Sequence, residues 1–545
     1  FTSHIFLEKN MIIDKINQSK KLITISLFIF IFFVGVSVVK DYGVSSDEYQ
    51  HRLHGFTNLN YVGEKLFPNI TERYKKDKLY PKFEDYNNNW YGGVLYNAST
   101  AFLELLFGIK DKKNQFLFKH YFNYLIFFLS LISFYQLVQS RFSDWKYSLL
   151  GVTILFLSPR IFANSFYNIN DLIFMSFCIF AMNYAFIFFK NPNIRNSLLF
   201  SFFVALAINM RIMGIIIPFL FFGILFFYLL INKVFLKNYS LPLLITFFLI
   251  PFFTVLFWPY LWDDPIKNFI NSFVEVSKYY HFGGSENLFL GNFVMSTNVP
   301  WNYIPVWILI TTPIVYLILF FAGVVKISLS TIFFKREKNI RLIFTDLFFL
   351  LFILLSIISV IVLNSTLYNG WRHMYFIYPA FVMIALVGIE FFLKIIKNKY
   401  VFIIFQLIII FTFINTSYWM VKNHPHQNVY FNRLAGKNIQ NKFEMDYWGL
   451  SYKENLDYLL EVDKKNKLYI WNSSQIKMFY PLLSLSEKDR SKIVIVKNKN
   501  DAEYWLTNYY IDKKIYDEEF YKRYELLREI VVDGNSINSI FKKKK

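Results

Sequence analysis

The sequence predicts an all-α polytopic membrane protein of about eleven spans, followed by a small α/β domain at its C-terminal end. Two observations carry that expectation. Of 545 residues, 55% are hydrophobic and 21% aromatic, yet 18% are charged, so apolar and ionic residues must be segregated along the chain. Runs of Phe, Ile and Leu with almost no charge do alternate with short knots of Lys, Arg, Asn and Asp. A helix needs about 20 apolar residues to cross the hydrocarbon core, because only a helix satisfies its own backbone there. The second observation is where the cations lie: between the apolar runs, in a pattern that fixes which loops face inward.

Taken in order, spans are expected near 22–39, 116–138, 147–163, 172–189, 198–210, 212–231, 241–260, 303–325, 343–363, 374–393 and 400–421. The stretch from Leu22 to Val39 follows Lys20 and Lys21 as a signal peptide's apolar region does, but no small-residue cleavage site follows, so it reads as a retained first span. With that pair cytoplasmic, the inner loops carry Arg141 and Lys146, then Lys190 and Arg195, then Lys233 and Lys237. Further along they carry Lys326, Lys335, Arg336, Lys338 and Arg341, then Lys394, Lys397 and Lys399. Every inner loop is basic, as the positive-inside rule requires. Asn209, Met210 and Arg211 interrupt an apolar run too long for one span. Reading that run as a single span would turn the strongly basic 326–341 loop outward, so two spans are favoured.

This topology gives a cytoplasmic N-terminus at 1–21, a membrane domain at 22–421 and an extracytoplasmic domain at 422–545. On the outer side fall a long loop at 40–115, a turn at 158–171, a loop at 261–302 and a turn at 364–373. The first loop is rich in Tyr, Trp, Asn and charge of both signs, and is expected to hold interfacial helices. The tail alternates a helical run, Lys453 to Asp463, with β-like runs at Leu468 to Trp471 and Ile493 to Val496. A hairpin is expected from Leu527 around Asp533-Gly534.

Several function classes are disfavoured. The formal net charge of +20 comes from loops beside spans and from the tail, so it is read as topology and not as a nucleic-acid interface. The single cysteine, Cys178, lies inside an apolar run and permits no intrachain disulfide. No Walker-type glycine loop, zinc spacing or serine-nucleophile elbow occurs. Abundant Lys, Asn, Ile and Phe suggests an AT-rich genome and hints at a bacterium, and the location expected for such a multi-pass chain is the bacterial inner membrane.

The chemistry-bearing residues gather at outer span ends. Asp47 and Glu48 follow the first span directly. Adjacent carboxylates at an interface repel, and persist most readily with a task or a cationic partner. Either they sit at the N-terminus of an interfacial helix, where negative charge is favoured, or one acts as a general base toward an acceptor hydroxyl. The 158–171 turn carries Arg160, three amides including Asn170, and Asp171, which is suited to join Asp47 in holding an acceptor or a divalent cation. In the 364–373 turn, Arg372 is suited to grip a phosphate in a two-pronged way, with His373 beside it. Trp371, Tyr375 and Tyr378 read as an ordinary aromatic belt. Arg211, between two apolar runs, must face a polar cavity or the interface.

At these residues the sequence resembles the GT-C membrane glycosyltransferases, in particular the branch similar to bacterial protein O-mannosyltransferases and the aminoarabinose transferase of lipid A. The features are Asp47-Glu48 in the first outer loop, the Ser158-Pro159-Arg160 turn ending in Asn170-Asp171, and Asn369-Gly370-Trp371-Arg372-His373. The tail segments His424 to Asn432 and Phe443 to Tyr452 add to them. The resemblance implies a polyprenyl-phosphate-linked sugar donor, a lipid, glycan or protein acceptor, and an outward-facing site. It makes Asp47, with Glu48, the activator of the acceptor, and Asp171 with Asn170 an acceptor- or metal-binding pair. Arg372, His373, Arg211 and Arg160 are the candidates for donor phosphate. A rival reading is a transporter or flippase of a lipid-linked saccharide, which would place charge near the midplane. A third is an assembly factor that docks through its tail.

Overall fold

Where water cannot satisfy the backbone, each apolar run closes its own hydrogen bonds as a helix. The computed structural model describes residues 2–69, 71, 82, 83, 85, 92–232, 237–278, 284–334, 339–511, 516 and 518–544. Lys233, Lys335, Arg336 and Lys338 of the expected inner loops lie outside them. The first helices are α1 (Thr2–Val38), α2 (Glu48–Leu66), α3 (Val94–Leu106), α4 (Lys112–Phe142), α5 (Trp145–Phe156) and α6 (Pro159–Tyr167). Then come α7 (Asp171–Lys190), α8 (Ile194–Met210), α9 (Ile216–Asn232), α10 (Lys237–Leu256) and α11 (Pro265–Lys278). The last of the bundle are α12 (Tyr303–Thr311), α13 (Ile314–Ile332), α14 (Ile340–Val362), α15 (Tyr378–Ile395) and α16 (Lys399–Lys422).

Among the described residues nine helical segments are long and apolar enough to cross a bilayer, or ten if the bent pair α5 and α6 forms one span. The protein is therefore a multi-pass integral membrane protein. Three details differ from the sequence expectation. The 198–210 segment becomes α8, apolar but only 17 residues long. The 303–325 segment breaks at Pro313, which has no N–H to continue the helix, and so divides into α12 and α13. The 158–171 turn is mostly the helix α6, bent by 69° from α5. Pro159 opens α6 at a position whose N–H would go unused, and Asn164 and Ser165 return hydrogen bonds to Arg160 O (2.8 Å) and Phe162 O (2.6 Å). The break at Arg211, extended at φ −149° between α8 and a short 3-10 turn at Ile212–Ile215, agrees with two segments in that region.

Helices α13 and α15 cross closely because both are bare at the crossing: a Cβ on Gly323 would meet Ile384 O at 1.9 Å, and one on Gly388 would meet Leu319 O at 1.9 Å. At one end of α15 a charged cluster is closed by Arg141, which reaches Asp346 through Nε (2.5 Å) and Nη2 (2.7 Å) and Glu390 through Nη2 (3.2 Å). The other end of α15 begins with the turn at Arg372.

The chain before α12 holds a hairpin of β1 (Glu286–Phe289) and β2 (Asn292–Met295). After α16, α17 (Tyr452–Val462) packs Leu456 and Leu459 onto a five-stranded mixed sheet. Its strands are β3 (Leu468–Asn472), β4 (Ile493–Ile495), β5 (Tyr504–Thr507), β6 (Tyr524–Val532) and β7 (Asn535–Lys543). The order is β4-β3-β5-β7-β6, with β3 parallel to β4 and β5, and β7 antiparallel to β5 and β6. The expected helix, strands and closing hairpin are all present.

The segment between α16 and the sheet is fastened to the bundle. Tyr42 donates to Gln427 Oε1 (2.9 Å), His424 pairs with Asp41 (2.9 Å), and the Asn432 amide donates to Leu309 O and Thr312 O (2.6 Å each). Gly43 lies so close to Leu450 that a Cβ would come within 2.8 Å of its carbonyl oxygen. This brings the tail over the same bundle end as the loop that follows α1.

Candidate active site

Asp171 begins α7 and is held from behind: Asn168 donates to its Oδ2 at 3.0 Å and accepts its backbone N–H at 2.9 Å. The break at Arg211 frees that side chain from the helical path, and its guanidinium pairs with Asp171 Oδ1. Asn369 (φ +57°) and Gly370 (φ +72°) are both left-handed, a conformation cheap only for such residues, and they turn the chain into Arg372. Arg372 Nη1 then donates to Asp171 Oδ2 and to Asp47 Oδ2, each at 3.2 Å. Asp47 stands at the N-terminus of α2, as an interfacial helix start would have it, but its side chain makes no capping bond. It meets Arg372 instead. Asp171 is 1% exposed whereas Asp47 is 40% exposed.

The tail completes the site. The Arg372 guanidinium lies between the rings of Tyr368 (4.8 Å) and Trp448 (5.1 Å), a cation–π arrangement that strengthens where water is excluded. One turn beyond Asp47 on α2, His51 faces the same charges. Burial and the positive charges of Lys119, Arg211 and Arg372 push its pKa down to about 3, against the opposing pull of Asp171. It is therefore a neutral imidazole. Glu444 is buried beside the Asn369 turn. Burial pushes it up to about 8, against the pull of the Leu288 N–H, of Asn369 and of Arg372.

Of the residues singled out in the sequence, Asp47, Asp171, Arg211 and Arg372 come together. His373 lines a crevice with Arg211, Tyr368 and the apolar Met213, Phe273 and Val360, and its ring lies edge-on to Tyr368 at 4.7 Å. Glu48 does not join them. It is fully buried, accepts from the Ser45 N–H (2.6 Å) and pairs with His120 Nε2 (2.8 Å), so it pins the loop to α4 and is in no position to help Asp47. Arg160 stands behind Gly370 and pairs with neither carboxylate, donating from Nε to Tyr430 O (3.1 Å) and stacking on Phe431 and Trp307. Asn170 is buried at the start of α7 with no side-chain cap bond. Trp371, Tyr375 and Tyr378 are buried at 1–2% exposure and form no lipid-facing belt. Trp371 donates to Thr311 Oγ1 (2.8 Å), and Tyr378 shares a hydrogen bond with Ser158 (2.7 Å).

The divalent cation considered for Asp47 and Asp171 does not fit this donor set. Both carboxylates already face the Arg372 guanidinium, and among the described residues no three His, Cys, Asp or Glu side chains are grouped to hold a metal.

No protein-family model and no curated protein matches the sequence. Solved structures do. The apo oligosaccharyltransferase of Archaeoglobus fulgidus superposes with a TM-score of 0.51 at 12% identity, over 88% of this chain and 65% of that one. The oligosaccharyltransferase AglB of the same archaeon, in complex with an inhibitory peptide and a dolichol-phosphate, gives 0.52 at 12% identity, over 90% and 70%. The chain has the GT-C fold. It spans about two thirds of the length of these archaeal chains. ArnT from Cupriavidus metallidurans bound to undecaprenyl phosphate aligns over 95% of this chain and 97% of its own at 10% identity, with a TM-score of 0.46.

Within the GT-C fold, the sequence reading passed over His51, Tyr368 and Trp448 as participants. The signal for His51 was present, since Asp47 and His51 are four apart and share a helical face. Trp448 stood within the Phe443 to Tyr452 segment of the resemblance, but no role followed from that, because it reaches Arg372 only through the folding of the tail.

Proposed function

We propose that this chain is a membrane glycosyltransferase that moves a sugar from a polyprenyl-phosphate donor to a lipid, glycan or protein acceptor. The observation that carries the reading is the asymmetry of two carboxylates on one arginine: Asp171 is buried and doubly paired, whereas Asp47 is open to an incoming molecule. Asp47 takes the proton of the acceptor hydroxyl, and the acceptor oxygen forms a bond to the anomeric carbon. The bond from that carbon to the phosphate oxygen breaks, and its electron pair leaves with the polyprenyl phosphate. Arg211, with His373 beside it, receives the phosphate charge at the mouth of an apolar crevice suited to a lipid chain. Asp171 positions the two arginines, and Trp448 shields Arg372 from water. The dolichol-phosphate bound to AglB, a protein of like fold, is consistent with such a donor.

The site and residues 422–545 are assigned to the extracytoplasmic face. The described cations Arg141, Lys190, Arg195, Lys326 and Lys394 lie toward the helix ends that the topology turns inward, which supports that orientation. The test is comparison of surface lipids, glycans and glycoproteins from cells carrying the wild-type chain or Asp47→Asn at equal abundance. Loss of one sugar modification is expected, and undiminished transfer by Asp47→Asn would refute the assignment.

A further inference from the structure

Helix α16 stands apart. Its best apolar window is only 6% buried, and its aromatic contacts with the bundle are Phe405 on Phe392 (5.4 Å) of α15 and Phe413 on Tyr316 (6.4 Å) of α13. Beside these contacts a groove of about 1130 Å³ runs between α16 and the start of α13. Its lower walls are apolar, with Leu407, Ile408 and Phe411 exposed by 47–68%. Its upper rim is polar and comes from the tail: Arg433, Lys437 and the β6–β7 turn at Asp533 and Gly534. Asp533 accepts from Trp419 Nε1 at 2.8 Å, whereas Arg433 and Lys437 are exposed and form no ion pair among the described residues. The N-terminus of α13, a 19-residue helix, also lines the groove at Ile314 and Val315 and adds its positive dipole end.

A groove with hydrocarbon walls inside a bilayer must be filled, and water is a poor filler there. The cationic rim decides what fills it. We infer that this groove is a binding site for an anionic lipid of the bilayer, with an acyl chain against Leu407, Ile408 and Phe411 and its phosphate on Arg433 and Lys437. The phosphate level coincides with Trp419, a residue type that favours the headgroup boundary. This groove shares no lining residue with the crevice of Arg211 and His373, so the two are distinct.

The test places a photo-crosslinking amino acid at Phe411 of the full-length chain, in vesicles of mixed phosphatidylglycerol and phosphatidylcholine. A control chain carries it at Phe248, on the exposed face of α10. Two basic residues near a membrane surface should enrich phosphatidylglycerol at Phe411 by about tenfold or more over phosphatidylcholine, with no such enrichment at Phe248. The pair Arg433→Gln and Lys437→Gln should bring Phe411 down to the control ratio, and Ile408→Trp should lower crosslinking of both lipids by filling the groove. Equal ratios at Phe411 and Phe248 in the otherwise unaltered chain would overturn the inference, as would an enrichment that survives the paired substitution.

Discussion

The two ends of α15 each carry a buried arginine between two carboxylates, and they do opposite things. At one end Arg141 grips Asp346 with two nitrogens at 2.5 and 2.7 Å, and Glu390 is shared with Lys394. At the other, one nitrogen of Arg372 is divided between Asp47 and Asp171 at 3.2 Å each. The first cluster is closed upon itself. The second leaves Asp47 open, backs onto a crevice and is roofed by an aromatic ring from the tail. Charge type alone therefore does not distinguish a structural cluster from a chemical one; the accessibility of one member and the room beside it do.

The sharpest way to break this contrast is to neutralise one charged residue at each end. Arg141→Ala should destabilise the folded protein by about 3–5 kcal/mol, because it strands Asp346 in a buried setting while Glu390 keeps Lys394, and should show as a large fall in thermal midpoint in detergent. Asp47→Asn should leave that midpoint nearly unchanged while transfer falls roughly 100-fold or more, measured with a polyprenyl-phosphate sugar as donor. Equal effects of the two substitutions on stability would erase the distinction.

The contrast sharpens with pH. Glu444, at the edge of the open site, holds its proton up to about pH 8, whereas the unfolded carboxyl loses it near 4.5. Between these values the folded state binds more protons than the unfolded one, so this group's contribution to stability falls as pH rises. Glu444→Gln should match the wild type near pH 5 and exceed it near pH 8 by on the order of 2 kcal/mol, in paired melts at the two pH values. The smallest effect belongs to the closed end: Lys394 is 62% exposed, and Lys394→Ala should cost under about 0.5 kcal/mol in the same assay.

Much of the fold was legible because its causes are local. Apolar runs of span length can only be helices in lipid, and Asp533-Gly534 between alternating residues marked the β6–β7 turn. The bend between α5 and α6 was not legible, since a Ser-Pro pair between an apolar run and a polar stretch reads equally as a turn. Nor was the fate of Glu48. Its neighbour Asp47 differs from it by one position on α2, about 100° around the helix, and that rotation sends one carboxylate to Arg372 and the other to His120.

The sequence by itself determined that the chain lies in a membrane and crosses it many times, and that Asp47, Asp171, Arg211 and Arg372 follow or precede apolar runs, because hydrophobic length and charge placement act over a few residues. Only the tertiary structure decided that Arg372 would join carboxylates 201 and 325 residues away, that Trp448 would cover it, and that Arg160 would anchor the tail. Those outcomes depend on which helix ends pack together, and packing is a property of surfaces that no single stretch of chain contains.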